Sequence, residues 1–203
     1  MMKKIIFCEG KNDSNFFCKL FVELGIDTNK TKIFDQKAKD KLTQLKHAET
    51  IEINRFVQKT SPYKILVKSE AGKYKAISLF SRSMAFCFKK ENNLKPILML
   101  DLDEAPVDTE LKKLDDRIKT KKTVNIDIKR SLIHSTGINY LYRNEVKIKE
   151  TGKRLGKFYL VLFACSLEKA AGIIPSDEAP NIEDKISKLV EMQDIKSTFS
   201  QIF

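Results

Sequence analysis

A chain of 203 residues with 42% apolar side chains can bury a sizeable core and has the length of one ordinary domain. No apolar run approaches the ~18 residues of a membrane span, and the N-terminal lysines precede only a short apolar run ending in Glu9, so a signal peptide is not expected; the expectation is a soluble cytoplasmic protein with no membrane contact. Lys and Arg number 38 against 27 Asp and Glu, and this formal net charge of +11 favours a polyanionic partner such as nucleic acid, while a lysine-coated surface that merely solvates would give the same sum.

Cys8, Cys18, Cys87 and Cys165 are scattered, with no C-x-x-C pair and neither His47 nor His134 beside them. That spacing argues against zinc and reads as small core residues in a reducing compartment.

In chain order, residues 3–8 read as a buried strand that Glu9-Gly10 breaks, with Asp13 or Ser14 able to cap the helix that follows. That helix is expected over 13–24, where Phe16, Phe17, Leu20, Phe21 and Leu24 share one face, and Gly25 ends it. Residues 27–61 carry Lys30, Lys32, Lys37, Lys39, Lys41 and Lys46 and read as a helical insertion on the sheet rim, stopped by Pro62. The same lysines could alternatively serve as a basic arm for a phosphate backbone. Tyr63–Lys68 is the next strand, followed by a turn through Lys73 and a helix from about 74 to 92. Pro96 opens a third strand over 96–101. Strands alternating with crossovers of this length predict an α/β fold with a parallel central sheet flanked by helices.

Downstream, a charged helix is expected over 109–118 and strands over 123–129, 138–142 and 158–164. Gly152 and Gly156 frame a basic turn holding Lys153, Arg154 and Lys157. Ser166 caps a short helix containing Glu168, and a surface helix spans 181–193; the last ten residues carry no clear pattern. No repeat or linker divides the chain. The expectation is therefore one domain, with its core over about 3–105 and 123–172, an insertion over 27–61 and a helical tail over 176–203.

The chemistry gathers at two strand ends. Asp101 and Asp103 follow the apolar run 96–100, and residues i and i+2 of an extended chain share a face. Two carboxylates at the mouth of a parallel sheet repel unless a cation neutralises them, and Mg²⁺ is content with one or two carboxylates, waters and a substrate phosphate. Glu9 would end the neighbouring strand, where open α/β sheets place ligands. Asp13, four residues on, could point back over the same place, or could simply cap its helix. Asp101 and Asp103 could likewise be ordinary turn residues.

Ile5-Ile6-Phe7-Cys8-Glu9-Gly10-Lys11-Asn12-Asp13 together with Leu98-Met99-Leu100-Asp101-Leu102-Asp103 resembles the TOPRIM domain of topoisomerases, primases and OLD-family nucleases, and more closely that of the OLD-family and small free-standing members. Ala164-Cys165-Ser166-Leu167-Glu168 is similar to a late motif of those proteins. The resemblance implies a Rossmann-like TOPRIM fold and Mg²⁺- or Mn²⁺-dependent phosphodiester cleavage of DNA or RNA. It implies Glu9 as general acid/base and Asp101 and Asp103 as metal ligands, with Glu9, Asp13 and Glu168 as further ligands. Gly10, Lys11, Lys73, Lys153, Arg154 and Lys169 become candidate nucleic-acid contacts, Lys169 lying beside Glu168. The chain has no Walker A motif, so a separate ATPase or other protein is a candidate partner. It differs from the family pattern in having Glu104 where a small residue is often found.

Two other readings compete. The same fold can bind nucleic acid or protein without cleaving anything. Asp101-Leu102-Asp103-Glu104 also resembles the first motif of haloacid dehalogenase-type phosphatases, with Asp101 as nucleophile. That motif normally opens the fold, and Asp115-Asp116 lies too close to supply the later acidic pair. It also leaves Glu9 without a role.

Overall fold

The computed structural model describes residues 2–34, 51–58, 60–89, 94–120 and 125–203. Among these, seven strands form one sheet: β1 (Lys3–Cys8), β2 (Thr31–Phe34), β3 (Ile65–Ser69), β4 (Leu94–Asp101), β5 (Ile126–Ser135), β6 (Asn139–Ile148) and β7 (Arg154–Phe163). Their order is β2-β3-β1-β4-β7-β6-β5. The pairs β2/β3, β3/β1, β1/β4 and β4/β7 are parallel, whereas β7, β6 and β5 form an antiparallel meander. The helices are α1 (Lys11–Glu23), α2 (Lys73–Lys89), α3 (Val107–Thr120), α4 (Leu167–Ala170), α5 (Ala179–Glu191) and α6 (Gln193–Ser200), with a further helical segment over 51–57. No helix among the described residues is long and apolar enough to cross a membrane.

β1 is buried along its whole length, because both faces of a parallel sheet are covered by crossover helices. Ile5 and Phe7 face the layer of α2 and α3 and join Phe80, Met84, Leu114 and Ile118. Ile6 and Cys8 face the layer of α1, α5 and α6 and join Phe16, Leu20, Leu189 and Phe199. Rings lock the α2–α3 layer to the sheet: Phe80 lies 5.6 Å from Phe7 and 4.9 Å from Phe158, edge to face. Such pairs add about 0.5–1.5 kcal/mol each beyond their buried area.

α1 ends as its glycine predicts. Gly25 takes φ 64, its N–H donates to Val22 and that of Ile26 to Phe21, which satisfies the last carbonyls of the helix.

Several elements differ from expectation. Within 27–61 the chain builds a strand, β2, where only helices are expected; Lys37, Lys39, Lys41 and Lys46 lie outside the described residues. β2 is the edge of the sheet and only Phe34 of its four residues is buried, so it lacks the apolar run that marks a central strand. β5, β6 and β7 are each ten residues long, extended by half-exposed polar segments. Gly156 is not a turn glycine: it sits inside β7, where a Cβ would stand 2.3 Å from the Phe88 ring. The final residues form α6, whose Ile195 and Phe199 are buried. Cys8 and Cys87 are core residues as expected, but Cys18 is exposed and Cys165 half-exposed.

Candidate functional site

β1 and β4 are parallel neighbours, so the residues that follow their last turns of apolar sequence emerge side by side at one edge of the sheet. Glu9 leaves β1 there. Its Oε1 accepts a hydrogen bond of 2.8 Å from the Asp101 N–H at the end of β4. Its own carbonyl accepts from Gly72, which takes φ 94, and this contact brings the start of α2 against the site. Lys73 follows at once.

Asp101 is buried at 9% exposure, and its Oδ1 accepts from the Leu167 N–H at 3.2 Å. Asp13 is buried at 6%; its Oδ2 accepts from both the Glu9 and the Gly10 N–H, at 2.9 and 2.7 Å. Asp13 therefore satisfies the orphan amides at the start of α1 from inside its first turn, rather than preceding the helix as a cap. Glu168, in the first turn of α4, accepts from Asn12 Nδ2 at 2.9 Å, which draws a fourth carboxylate to the group. Ser166 caps α4 as expected, accepting from the Lys169 N–H.

Electrostatics reflect the crowding. Burial pushes the Asp101 carboxyl up to about 8, and the charges of Asp13, Glu9 and Glu168 push the same way. Burial likewise lifts Glu9 to about 7, against the Asp101 hydrogen bond and the Lys73 charge that pull it down. Burial lifts Asp13 to about 7, with Glu9 and Glu168 adding to it despite its two backbone donors. Three carboxyl groups that titrate near or above neutrality, packed at one strand mouth, need a proton or a cation between them.

Asp103 does not continue the face of Asp101. β4 ends at Asp101, Leu102 turns inward to 2% exposure, and Asp103 and Glu104 take φ 50 and 66. The i, i+2 rule holds only for extended backbone, and here the backbone is a left-handed turn. Asp103 instead pairs with Lys73 at 2.6 Å, and Lys73 also reaches Glu110 at 3.7 Å. Burial opposes the charge on Lys73, but the Asp103 hydrogen bond and the charges of Glu9, Asp103 and Glu110 outweigh it and hold its pKa above the usual lysine value. Lys169 pairs with Glu104 across the outside of the mouth, both side chains exposed.

The remaining candidates scatter. Lys11 is exposed on the first turn of α1. Gly10 has φ −150, a conformation open to any residue, and a Cβ there would meet Asp13 only at 3.9 Å. Lys153 and Arg154 stand at the opposite end of β7 from Phe163, the partner of Asp101; nine residues of strand put them about 30 Å from the carboxylates. Asn12 and Glu110 belong to the site although neither stood out in sequence. Asn12 sits inside the strand-turn-helix motif and Glu110 in the first turn after the acidic loop, and that adjacency is the signal available.

Among the described residues, no group of three His, Cys, Asp or Glu side chains converges as a ready metal cage. Mg²⁺ does not require one: it keeps waters and takes substrate phosphates beside one or two carboxylates. Glu9 and Asp101 each spend one oxygen on a backbone amide and have a second, hard oxygen donor to offer. The donor chemistry fits such an ion. Compared with known proteins, the chain matches no family model, no curated protein and no solved structure.

Proposed function

We propose that the protein is a TOPRIM-like, Mg²⁺- or Mn²⁺-dependent enzyme that cleaves nucleic-acid phosphodiester bonds. The observation that carries the reading is the hydrogen bond from the Asp101 N–H to Glu9, which holds the half-buried Glu9 carboxylate beside the buried Asp101 at adjacent parallel strand ends. Asp101 and Glu9 would hold the ion, with Asp13 and Glu168 behind them as further negative charge. Bound there, a divalent cation supplies Lewis-acid stabilisation of the scissile phosphate and of the leaving oxygen.

Glu9 is suited to move a proton. In the metal-free fold a carboxyl raised to about 7 is divided between its two forms at neutral pH, in keeping with Glu9 as general acid or base. Lys73, held charged between Asp103, Glu110 and Glu9, stands where a phosphate oxygen could exchange for a carboxylate partner. The phosphatase reading fits less well, because it gives no role to Glu9, which is held against the end of β4 by the Asp101 N–H.

Nicking of supercoiled DNA and cleavage of labelled RNA, each with Mg²⁺ or Mn²⁺, test the proposal. Metal-dependent product from the wild type, and none from Asp101→Ala or Glu9→Ala of unchanged fold, is the expected result. Unchanged cleavage in either variant would overturn it. Binding without cleavage under any of these conditions would leave a non-catalytic binding module as the better reading.

A further inference from the structure

The alternation along β7 changes character part-way. Phe163, Val161, Tyr159 and Lys157 share one face of the strand. Phe163 and Val161 are buried in the layer of α1, α5 and α6, and Leu141 of β6 joins them there. Beyond Tyr159 the same face carries charge. Lys157 lies opposite Glu145, and Glu145 opposite Lys129. Tyr159 lies opposite Arg143, and Arg143 opposite Ser131. Arg154 completes the row from the start of β7, paired with Glu145 at 3.6 Å.

These side chains line a groove of about 280 Å³, formed by Lys129, Ser131, Arg143, Glu145, Arg154 and Lys157. It holds four cations to one carboxylate. Lys147 flanks it and shares Glu145 at 3.8 Å. Lys129, Arg143 and Arg154 are exposed. Glu145 sits at the centre, with Lys157 and Lys129 about 4.8 Å to either side across the sheet and Arg143 and Lys147 about 6.8 Å along β6. This is an array of five cations around one carboxylate, with Tyr159 and Ser131 beside Arg143.

We infer that this groove on the open face of the β5-β6-β7 meander is a docking track for the phosphate backbone of nucleic acid, separate from the carboxylate site. The inference rests on nucleic acid being the partner proposed above, and is independent of whether that partner is cleaved. The array has little to offer an apolar ligand, and its two arginines can each grip a phosphate through paired N–H donors. A concave groove suits a rod-like polyanion better than a flat anionic bilayer. The excess of 11 positive charges on the whole chain points the same way. Six residue steps along β7 lead from Lys157 to Phe163, so a ligand that touches both groove and carboxylates must span at least about 20 Å. That is about six base steps of a duplex.

The test is equilibrium binding of fluorescent single-stranded and duplex DNA and RNA in EDTA, where no cleavage can occur, across a salt series. Arg143→Glu with Lys157→Glu is the reversing variant. Arg143→Gln with Lys157→Gln is the milder one, and far-ultraviolet circular dichroism checks that each folds. Both doubles are expected to weaken binding at least about tenfold at roughly 0.1 M salt, and the neutralised one to reduce the salt slope by about 1.5. Lys188→Gln, on the exposed face of α5, should bind as the wild type does. Wild-type affinity in a folded Arg143→Gln/Lys157→Gln protein would overturn the inference. So would a wild type that binds no nucleic acid, or one that binds only anionic vesicles. A protein that binds through the groove yet cleaves nothing with Mn²⁺ would refute the proposed reaction and leave the groove intact.

Discussion

Glu9 and Asp101, 92 residues apart, are joined by one hydrogen bond of 2.8 Å from the backbone of the second to the side chain of the first. The donor is a main-chain N–H, so the bond can survive any substitution of the Asp101 side chain except proline. Asp101→Asn should therefore keep the position of Glu9, and its new amide oxygen can still accept from Leu167. What it removes is a buried charge. At pH 8, in EDTA, Asp101→Asn is expected to be more stable than the wild type by on the order of 2 kcal/mol, or several degrees in Tm, while losing all metal-dependent cleavage. A destabilised Asp101→Asn would mean that the carboxylate is a net structural asset.

The pH dependence follows from the same groups. Glu9, Asp13 and Asp101 titrate in the fold at about 7, 7 and 8, against ordinary values of 4.5, 3.8 and 3.8. Between those values the folded chain binds more protons than the unfolded one, so stability falls as pH rises. The stabilisation carried by their protons is complete below about pH 4 and is lost as pH climbs through 7 to 8. In EDTA, Tm is expected to fall from pH 5 to pH 8 on account of this cluster, and the decline to flatten in Asp101→Asn. Mn²⁺ or Mg²⁺ added at pH 8 should restore Tm in the wild type and not in Asp101→Asn. An unshifted wild-type Tm would count against the metal without reference to catalysis.

Asp13 has the opposite balance. Its Oδ2 serves two amides at the start of α1, and nothing else on the helix replaces it. Asp13→Ala leaves those N–H groups without an acceptor and is expected to cost about 1–3 kcal/mol by chemical denaturation. Asp13→Asn keeps an acceptor and should cost less. Equal losses in the two variants would show that the charge, and not the hydrogen bonds, matters to the fold.

The turn after β4 stores strain. Asp103 and Glu104 are the two described non-glycine residues with positive φ, and they are consecutive. Each costs on the order of 1–2 kcal/mol in a left-handed conformation. The exposed ion pair of Glu104 with Lys169 returns little of that. Glu104→Gly is expected to raise Tm by a few degrees without loss of secondary structure; a lower Tm would assign the pair with Lys169 a larger part in holding α4.

Gly156→Ala probes the other packing extreme. The added methyl would meet Cδ1, Cγ and Cβ of Phe88 at 2.3, 2.4 and 2.9 Å, and because the last of these is anchored to the backbone of α2, turning the ring alone does not clear it. A loss of about 1–3 kcal/mol is expected, relieved in part by Phe88→Leu in the same chain.

The sequence made the centre of this molecule readable and its margins obscure, for a physical reason. Strands such as β1 and β4 are buried on both faces, so their apolar runs are unbroken and their ends are marked by Glu9-Gly10 and Asp101. The adjacency of those ends, and with it the approach of Glu9 to Asp101, follows from the parallel pairing the alternation predicts. β2 and the outer halves of β5, β6 and β7 bury one face or none, and their residues resemble loops. Asp103 leaves the face of Asp101 because the strand ends before it, where the backbone turns left-handed. Asn12 and Glu110 act through neighbours that only the fold supplies. Lys153 and Arg154 are basic as read, but the strand they open carries them away from the carboxylates.

The strand order has a kinetic consequence. β5, β6 and β7 pair with sequence neighbours, whereas the β1–β4 pair closes a loop of about ninety residues. Local hairpins form early and long-range parallel pairing late, since the loop entropy must be met before the contacts reward it. The meander is thus the natural early-formed part, and the carboxylate mouth is assembled among the last. Substitutions at Glu9 or Asp101 should then change the unfolding arm of a chevron and leave the folding arm nearly still. In a cell, the chain would carry its basic face before it carries its acidic site, and partners of the one could meet it before the other exists.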